Sequence, residues 1–204
     1  MKVKICGMMD AEHASAALRM GADALGFVFA SSPRQVSLER ARSIIRQLPQ
    51  KGEKVGVFVN ESRENMEAAV DYCGLTMVQL HGDESDVLCS SLSVPAIKAV
   101  GIRSEKDAFR AFRYTSPYLL ADSPKEIYHG GNGKTFDWGL LTRLQAGMEG
   151  RKLILAGGLT ADNVEQAIAL AKPYMVDVSS GVESNGVKDL KKMEAFIKKA
   201  KGAM

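Results

Sequence analysis

The sequence predicts an α/β protein folded as a single (β/α)₈ barrel over residues 1–204, and three observations carry that expectation. Short β-rich runs alternate with longer segments whose apolar residues recur at three- and four-residue spacing, at an average repeat of roughly 25 residues. Eight such runs fit in the 204 residues, and eight parallel strands with right-handed crossover helices favour closure into a barrel. The stretch after the first run, Cys6-Gly7-Met8-Met9-Asp10, lacks the G-x-G-x-x-G fingerprint that an open dinucleotide-binding sheet carries there.

In chain order the strand candidates are Val3 to Cys6, Ala24 to Phe29, Lys54 to Val59, Met77 to Leu80, Ala96 to Val100, Tyr118 to Asp122, Lys152 to Leu155 and Met175 to Ser179. Between them lie helical stretches, among them Ala11 to Met20, Leu38 to Leu48, Arg63 to Tyr72 and Ala161 to Ala171. Asp10, Ser37, Ser62 and Thr160 precede these four, each with a side-chain oxygen able to cap the first backbone N–H groups. The connection from Ser123 to Phe136, rich in Gly and Pro, is the one long loop, and long loops in compact domains are commonly functional.

Composition narrows the function classes. Hydrophobic residues make up 46% and charged residues 25%, with a net charge of only +3, so neither disorder nor a nucleic-acid partner is expected. The cluster Lys191, Lys192, Lys198, Lys199 and Lys201 sits at the end of an amphipathic segment, where cations complement a helix dipole. The start, MKVKICGMMD, opens on a strand-like run without an apolar leader, and no stretch approaches the ~18 apolar residues of a membrane span; a cytoplasmic protein without membrane contact is the expectation. Cys6, Cys73 and Cys89 are odd in number and lack zinc-site spacing, which points to reduced thiols and to no metal.

Barrel active sites lie at the C-terminal strand ends, which directs attention to Cys6 after strand one, Arg34 after strand two, His81 after strand four and Asp122 after strand six. Cys6 and Asp122 fit a base and an acid on different sides of a substrate, although a lone cysteine also serves as a small buried hydrophobe and Asp-Ser-Pro is turn chemistry. Arg34 in Ser32-Pro33-Arg34 reads as exposed, either an ordinary surface cation or a clamp for a carboxylate. Gly157 and Gly158 after strand seven, with Ser179, Ser180 and Gly181 after strand eight, form the loop pair that commonly binds a phosphate through backbone N–H groups. Asp177, on the eighth strand, is a further candidate for substrate contact. The run Gly130 to Thr135 ends like a nucleotide-binding P-loop, but Tyr128 stands where that pattern requires glycine. The loop after strand three, Asn60-Glu61-Ser62, has no glycine, and no second phosphate site of similar type is visible.

Four motifs in order, Lys4-Ile5-Cys6-Gly7, Gln79-Leu80-His81-Gly82, Gly130-Gly131-Asn132-Gly133-Lys134-Thr135-Phe136-Asp137-Trp138 and Asp177-Val178-Ser179-Ser180-Gly181-Val182-Glu183, closely resemble the phosphoribosylanthranilate isomerases over essentially the whole chain. Asn132, where Thr or Ser is more usual, and Ser184-Asn185 depart from the pattern without touching the acid or base positions. The resemblance implies an Amadori rearrangement in tryptophan biosynthesis, with Cys6 as general base, Asp122 as general acid and Arg34 near the anthranilate part. It implies no metal or organic cofactor and a phosphorylated small molecule as the partner; the stand-alone form, not the fused one, is expected, and a monomer in preference to a homodimer. The rivals are the barrel isomerase of histidine biosynthesis, whose base is usually aspartate and whose substrate carries two phosphates, and a catalytically silent phosphate-binding barrel. Neither fits Cys6 and Asp122 as they stand.

Overall fold

The computed structural model describes residues 1–102, 104–122, 148 and 150–203. Its strands are β1 (Lys2–Cys6), β2 (Ala24–Val28), β3 (Glu53–Phe58), β4 (Met77–Leu80), β5 (Ala96–Gly101), β6 (Tyr118–Asp122), β7 (Lys152–Ala156) and β8 (Met175–Val178). They run parallel in sequence order, and β1 pairs with both β2 and β8, closing the barrel. The helices among the described residues are α1 (Ala11–Met20), α2 (Leu38–Ile45), α3 (Arg63–Cys73), α4 (Asp86–Ser91), α5 (Glu105–Ala111), α6 (Val164–Ala171) and α7 (Leu190–Gly202). The connection from Ser123 to Phe136 and the motif ending at Trp138 lie outside the described residues.

Alternation along each strand sorts the side chains into two cores. Val3, Ile5, Leu25, Phe27, Leu119, Leu155 and Val176 point outward and pack under the helices with Leu18, Ile44, Met66, Ile168 and Phe196. The intervening positions, Ala24, Val55, Met77, Ile97, Leu120, Ile154 and Met175, fill the barrel interior. Lys4 and Cys6, alternating with Val3 and Ile5, therefore face inward, and Gln79 and Asp177 do so two places beyond Met77 and Met175.

Three expected caps hold: Asp10, Ser37 and Ser62 accept from the N–H groups of His13, Arg40 and Asn65. Thr160 caps a turn and not an α-helix beginning at Ala161: its Oγ1 accepts from Asp162 N–H at 3.2 Å. The α-helix starts at Val164, after a turn over residues 161–163 that Asn163 ties down, its Oδ1 accepting from Thr160 N–H at 2.8 Å and its Nδ2 donating to the Gly158 carbonyl at 3.1 Å. Likewise α2 stops at Ile45 rather than Leu48, since Gln47 and Leu48 donate to carbonyls only three residues back, a tighter turn than the α-helix. A short hairpin, β9 (Glu183–Ser184) with β10 (Val187–Lys188), follows β8 and was not foreseen.

At the opposite end of the barrel, the Lys54 ammonium donates to the carbonyls of Pro49, Gln50, Lys51 and Gly52 at 2.7–3.1 Å. All three cysteines are free and buried. Among the described residues no helix is long and apolar enough to cross a membrane.

Candidate active site

A cavity of about 520 Å³ opens at the C-terminal strand ends, and Cys6, Arg34, His81, Asp122, Gly157, Gly158, Asp177, Ser179, Ser180 and Gly181 all line it. Residues separated by up to 175 positions thus share one chamber because closure brings β8 beside β1. Among the described residues no cluster of three or more His, Cys, Asp or Glu side chains is placed to hold a metal ion.

Cys6 ends β1 opposite Gly26 of β2. A Cβ at Gly26 would stand 2.6 Å from the Cys6 Sγ, so the missing side chain makes the room that the thiol occupies. Below it, Lys4 is fully buried and its ammonium lies 3.0 Å from Asp177 Oδ1, the residue that faces it across the β1–β8 pairing. Burial pushes the Cys6 thiol above its ordinary value, with Lys4 drawing it down and Asp177 pushing it further up. Burial works against the Lys4 charge as well, but Asp177 and Cys6 outweigh it and keep Lys4 protonated.

Asp122 ends β6, with its side chain 39% exposed, and His81 Nε2 stands 3.4 Å from its Oδ2. Gln79 contacts the other ring nitrogen, with Nε2 3.0 Å from Nδ1. The loop carrying His81 is pinned by Glu84, which accepts from Asn60 and Gly82 N–H groups and pairs with the Lys98 ammonium at 2.7 Å.

Arg34 differs from the sequence expectation of an exposed cation. Its guanidinium grips Glu183 through Nε at 2.7 Å and a terminal nitrogen at 2.6 Å, and its side chain is 26% exposed. The reason is the unforeseen hairpin, which carries Glu183 under the β2 loop. Glu183 also holds Lys188 at 2.5 Å, and Lys188 in turn reaches the Ser179 carbonyl and hydroxyl oxygens at 3.2 and 3.3 Å. Burial alone would raise the Glu183 carboxyl, but Arg34 and Lys188 hold it below the usual carboxylate range.

The two glycine loops meet directly. Gly157 and Gly158 adopt φ values of 86° and 62°, in the left-handed region that favours glycine. A Cβ on Gly181 would fall 1.8 Å from the Leu159 carbonyl oxygen, so only glycine lets the β8 loop close on the β7 loop. A helical turn, Ser180–Val182, begins there, and the first N–H groups of such a turn have no partner within it.

Lys4, Gln79, Gly26, Glu183 and Lys188 were given no role from the sequence. A signal existed for Lys4 and Asp177: charged residues within strands buried on both faces need each other as partners. Nothing local marks Gly26, whose neighbour Cys6 lies on β1, or the contact of Glu183 with Arg34, 149 positions away.

The sequence profile of N-(5'-phosphoribosyl)anthranilate (PRA) isomerase matches residues 3–199. The chain is 55% identical over 201 residues to the N-(5'-phosphoribosyl)anthranilate isomerase of Bacillus cereus strain B4264, covering 98% of each. Among solved structures it is similar to a phosphoribosyl anthranilate isomerase in complex with reduced 1-(o-carboxyphenylamino)-1-deoxyribulose 5-phosphate, with a TM-score of 0.88 and 42% identity over 99% of each chain. It is also similar to a monomeric form of the dimeric enzyme of Thermotoga maritima, with a TM-score of 0.87 and 42% identity over 99% of each chain. With the closed barrel and the cavity at its strand ends, these likenesses establish that the chain belongs to the N-(5'-phosphoribosyl)anthranilate isomerase family.

Proposed function

We propose that this chain catalyses the isomerisation of N-(5'-phosphoribosyl)anthranilate to 1-(2-carboxyphenylamino)-1-deoxyribulose 5-phosphate, the Amadori step of tryptophan biosynthesis, with Cys6 as general base and Asp122 as general acid. The observation that carries the residue assignment is the placement of Cys6 and Asp122 in the walls of one cavity, on strands three places apart around the closed barrel. A sugar between them meets a thiol on one side and a carboxyl on the other.

In this reading the Ser179–Gly181 and Gly157–Gly158 loops take the phosphate, and Arg34 directs its remaining N–H groups at the anthranilate carboxylate. Asp122 gives a proton to the furanose ring oxygen, the C1′–O bond breaks, and the nitrogen lone pair forms an iminium at C1′. The Cys6 thiolate removes the C2′ proton, and the electron pair flows to the nitrogen to give an enolamine. Tautomerisation yields the ketone. The substrate nitrogen is the electron sink, so the steps require no cofactor. A single barrel domain in the cytoplasm, working as a monomer, completes the reading. Among the described residues the large exposed apolar side chains, Val59, Tyr72, Val87, Phe109, Leu170, Val187 and Leu190, lie on separate elements.

The test follows the loss of phosphoribosylanthranilate fluorescence with purified, EDTA-treated protein. Wild type turns over undiminished. Cys6→Ser and Asp122→Asn fold normally and lose about 10²–10⁴-fold in kcat, whereas Cys73→Ser and Cys89→Ser stay near wild type. Near-wild-type turnover in folded Cys6→Ser would move the proton abstraction to another strand-end group.

A further inference from the structure

Gln79 is an unusual occupant of the barrel interior. It is 1% exposed, and its Oε1 is buried with no hydrogen-bond partner among the described residues. A half-satisfied buried amide costs stability that an apolar side chain of the same length would not. Its place is explained by what its other amide atom touches. Gln79 Nε2 lies 3.0 Å from His81 Nδ1, and on the far side of the ring His81 Nε2 faces Asp122 Oδ2 at 3.4 Å.

With the amide nitrogen, which donates and cannot accept, turned to the ring, Nδ1 is the accepting nitrogen and a ring proton sits on Nε2. We propose that Gln79 is a positioning residue for Asp122, acting through the tautomer of His81. The inference rests on Asp122 as the proton donor in the proposed reaction. With its proton on Nε2, 3.4 Å from Oδ2, His81 offers that oxygen a donor to close on, so the carboxyl proton resides on Oδ1 and is free to reach the sugar. The carboxylate left after transfer meets a donor already in place. The reverse tautomer would turn a lone pair toward Asp122, capture its proton in a hydrogen bond and hold it away from the ring oxygen. A flipped amide, with Oε1 against Nδ1, would impose that reverse state, so the tautomer is the decisive observable.

Nitrogen-15 NMR on the full chain without substrate, with the signals assigned through His81→Asn, should show a pyridine-like Nδ1 and a pyrrole-like Nε2 on His81. Gln79→Met removes the donor at nearly constant shape and should lower kcat about tenfold, the worth of one neutral hydrogen bond, with KM changed less than about twofold. Gln79→Glu, which accepts from Nδ1–H, should reverse the tautomer and lower kcat at least as far. In a His81→Asn background, Gln79→Met should have no further effect. A wild-type proton on Nδ1, or an equal loss from Gln79→Met with and without His81, would overturn the inference and leave Gln79 a packing residue. Full activity in Asp122→Asn with the expected tautomer intact would instead overturn the acid assignment, and with it the catalytic use of the relay.

Discussion

Replacing Glu183 with Gln keeps the shape of a side chain on which two cations converge and removes its charge. Lys188 is the cation that suffers. Its side chain is 4% exposed and that of Glu183 6%, so the substitution leaves a buried ammonium with the Ser179 oxygens at 3.2 and 3.3 Å as its remaining named partners. Removing one member of a buried ion pair costs about 3–5 kcal/mol. Arg34, 26% exposed, can turn to water and adds little, and the carboxamide oxygen still accepts one bond, which places the cost near the lower end, about 3 kcal/mol. At about 2–4 °C per kcal/mol for a chain of this size, the melting temperature should fall by roughly 6–12 °C. Scanning calorimetry at pH 7 measures it. Because the folded Glu183 carboxyl lies below its unfolded value of about 4.3, its contribution is present above that pH and is lost as pH falls through the depressed value. The gap between parent and variant should therefore close in acid. Glu183→Leu combined with Lys188→Met, which leaves no buried charge behind, should recover most of the loss. KM should rise in Glu183→Gln more than kcat falls, since Lys188 tethers Ser179 of the proposed phosphate loop. A melting point within about 2 °C of the parent, or a double variant less stable than Glu183→Gln, would refute the reasoning.

The raised Cys6 thiol has a kinetic signature: kcat/KM, which reports the free enzyme, should still be rising at pH 8 as the thiolate fraction grows, and a plateau reached by pH 7 would remove this thiolate as the base. Stability runs the other way with pH, because the folded thiol holds its proton above the unfolded value of about 8.5, so its contribution is complete below that pH and declines as pH rises through the folded value. Ser180→Glu places a negative charge in the loop proposed to hold the phosphate, and it should raise KM by at least tenfold with kcat changed far less. A hundredfold loss of kcat at constant KM would show that the loop does something other than bind.

The eight strands and the caps at Asp10, Ser37 and Ser62 were legible because period and capping are local: each is decided within a few residues of chain. At Thr160 the side-chain oxygen caps a turn, and the α-helix begins only at Val164, because the bonds of Asn163 back to Thr160 and Gly158 hold the turn apart from it. Arg34 was misread for a different reason, since its partner lies 149 positions away on a hairpin of two-residue strands, too short for any alternation to reveal. Cys6, Asp122 and the glycine loops could be found because the barrel rule names the strand ends where chemistry collects. The electrostatic surroundings of Cys6 could not, because Lys4, Asp177 and Lys188 converge only when β8 and its hairpin close against β1.

The Lys54 ammonium among four carbonyl oxygens has a consequence for mutational drift. The turn from Pro49 to Gly52 is shaped through its backbone by a side chain that lies outside it, and the side chains of Gln50 and Lys51 are exposed. Positions 50 and 51 are therefore open to nearly any residue, while the information that specifies the turn is stored at position 54. A chain that changed Lys54 would lose the turn even with every turn residue intact, and that loss would fall at the end of the barrel remote from the cavity, where stability can shift without altering the chemistry.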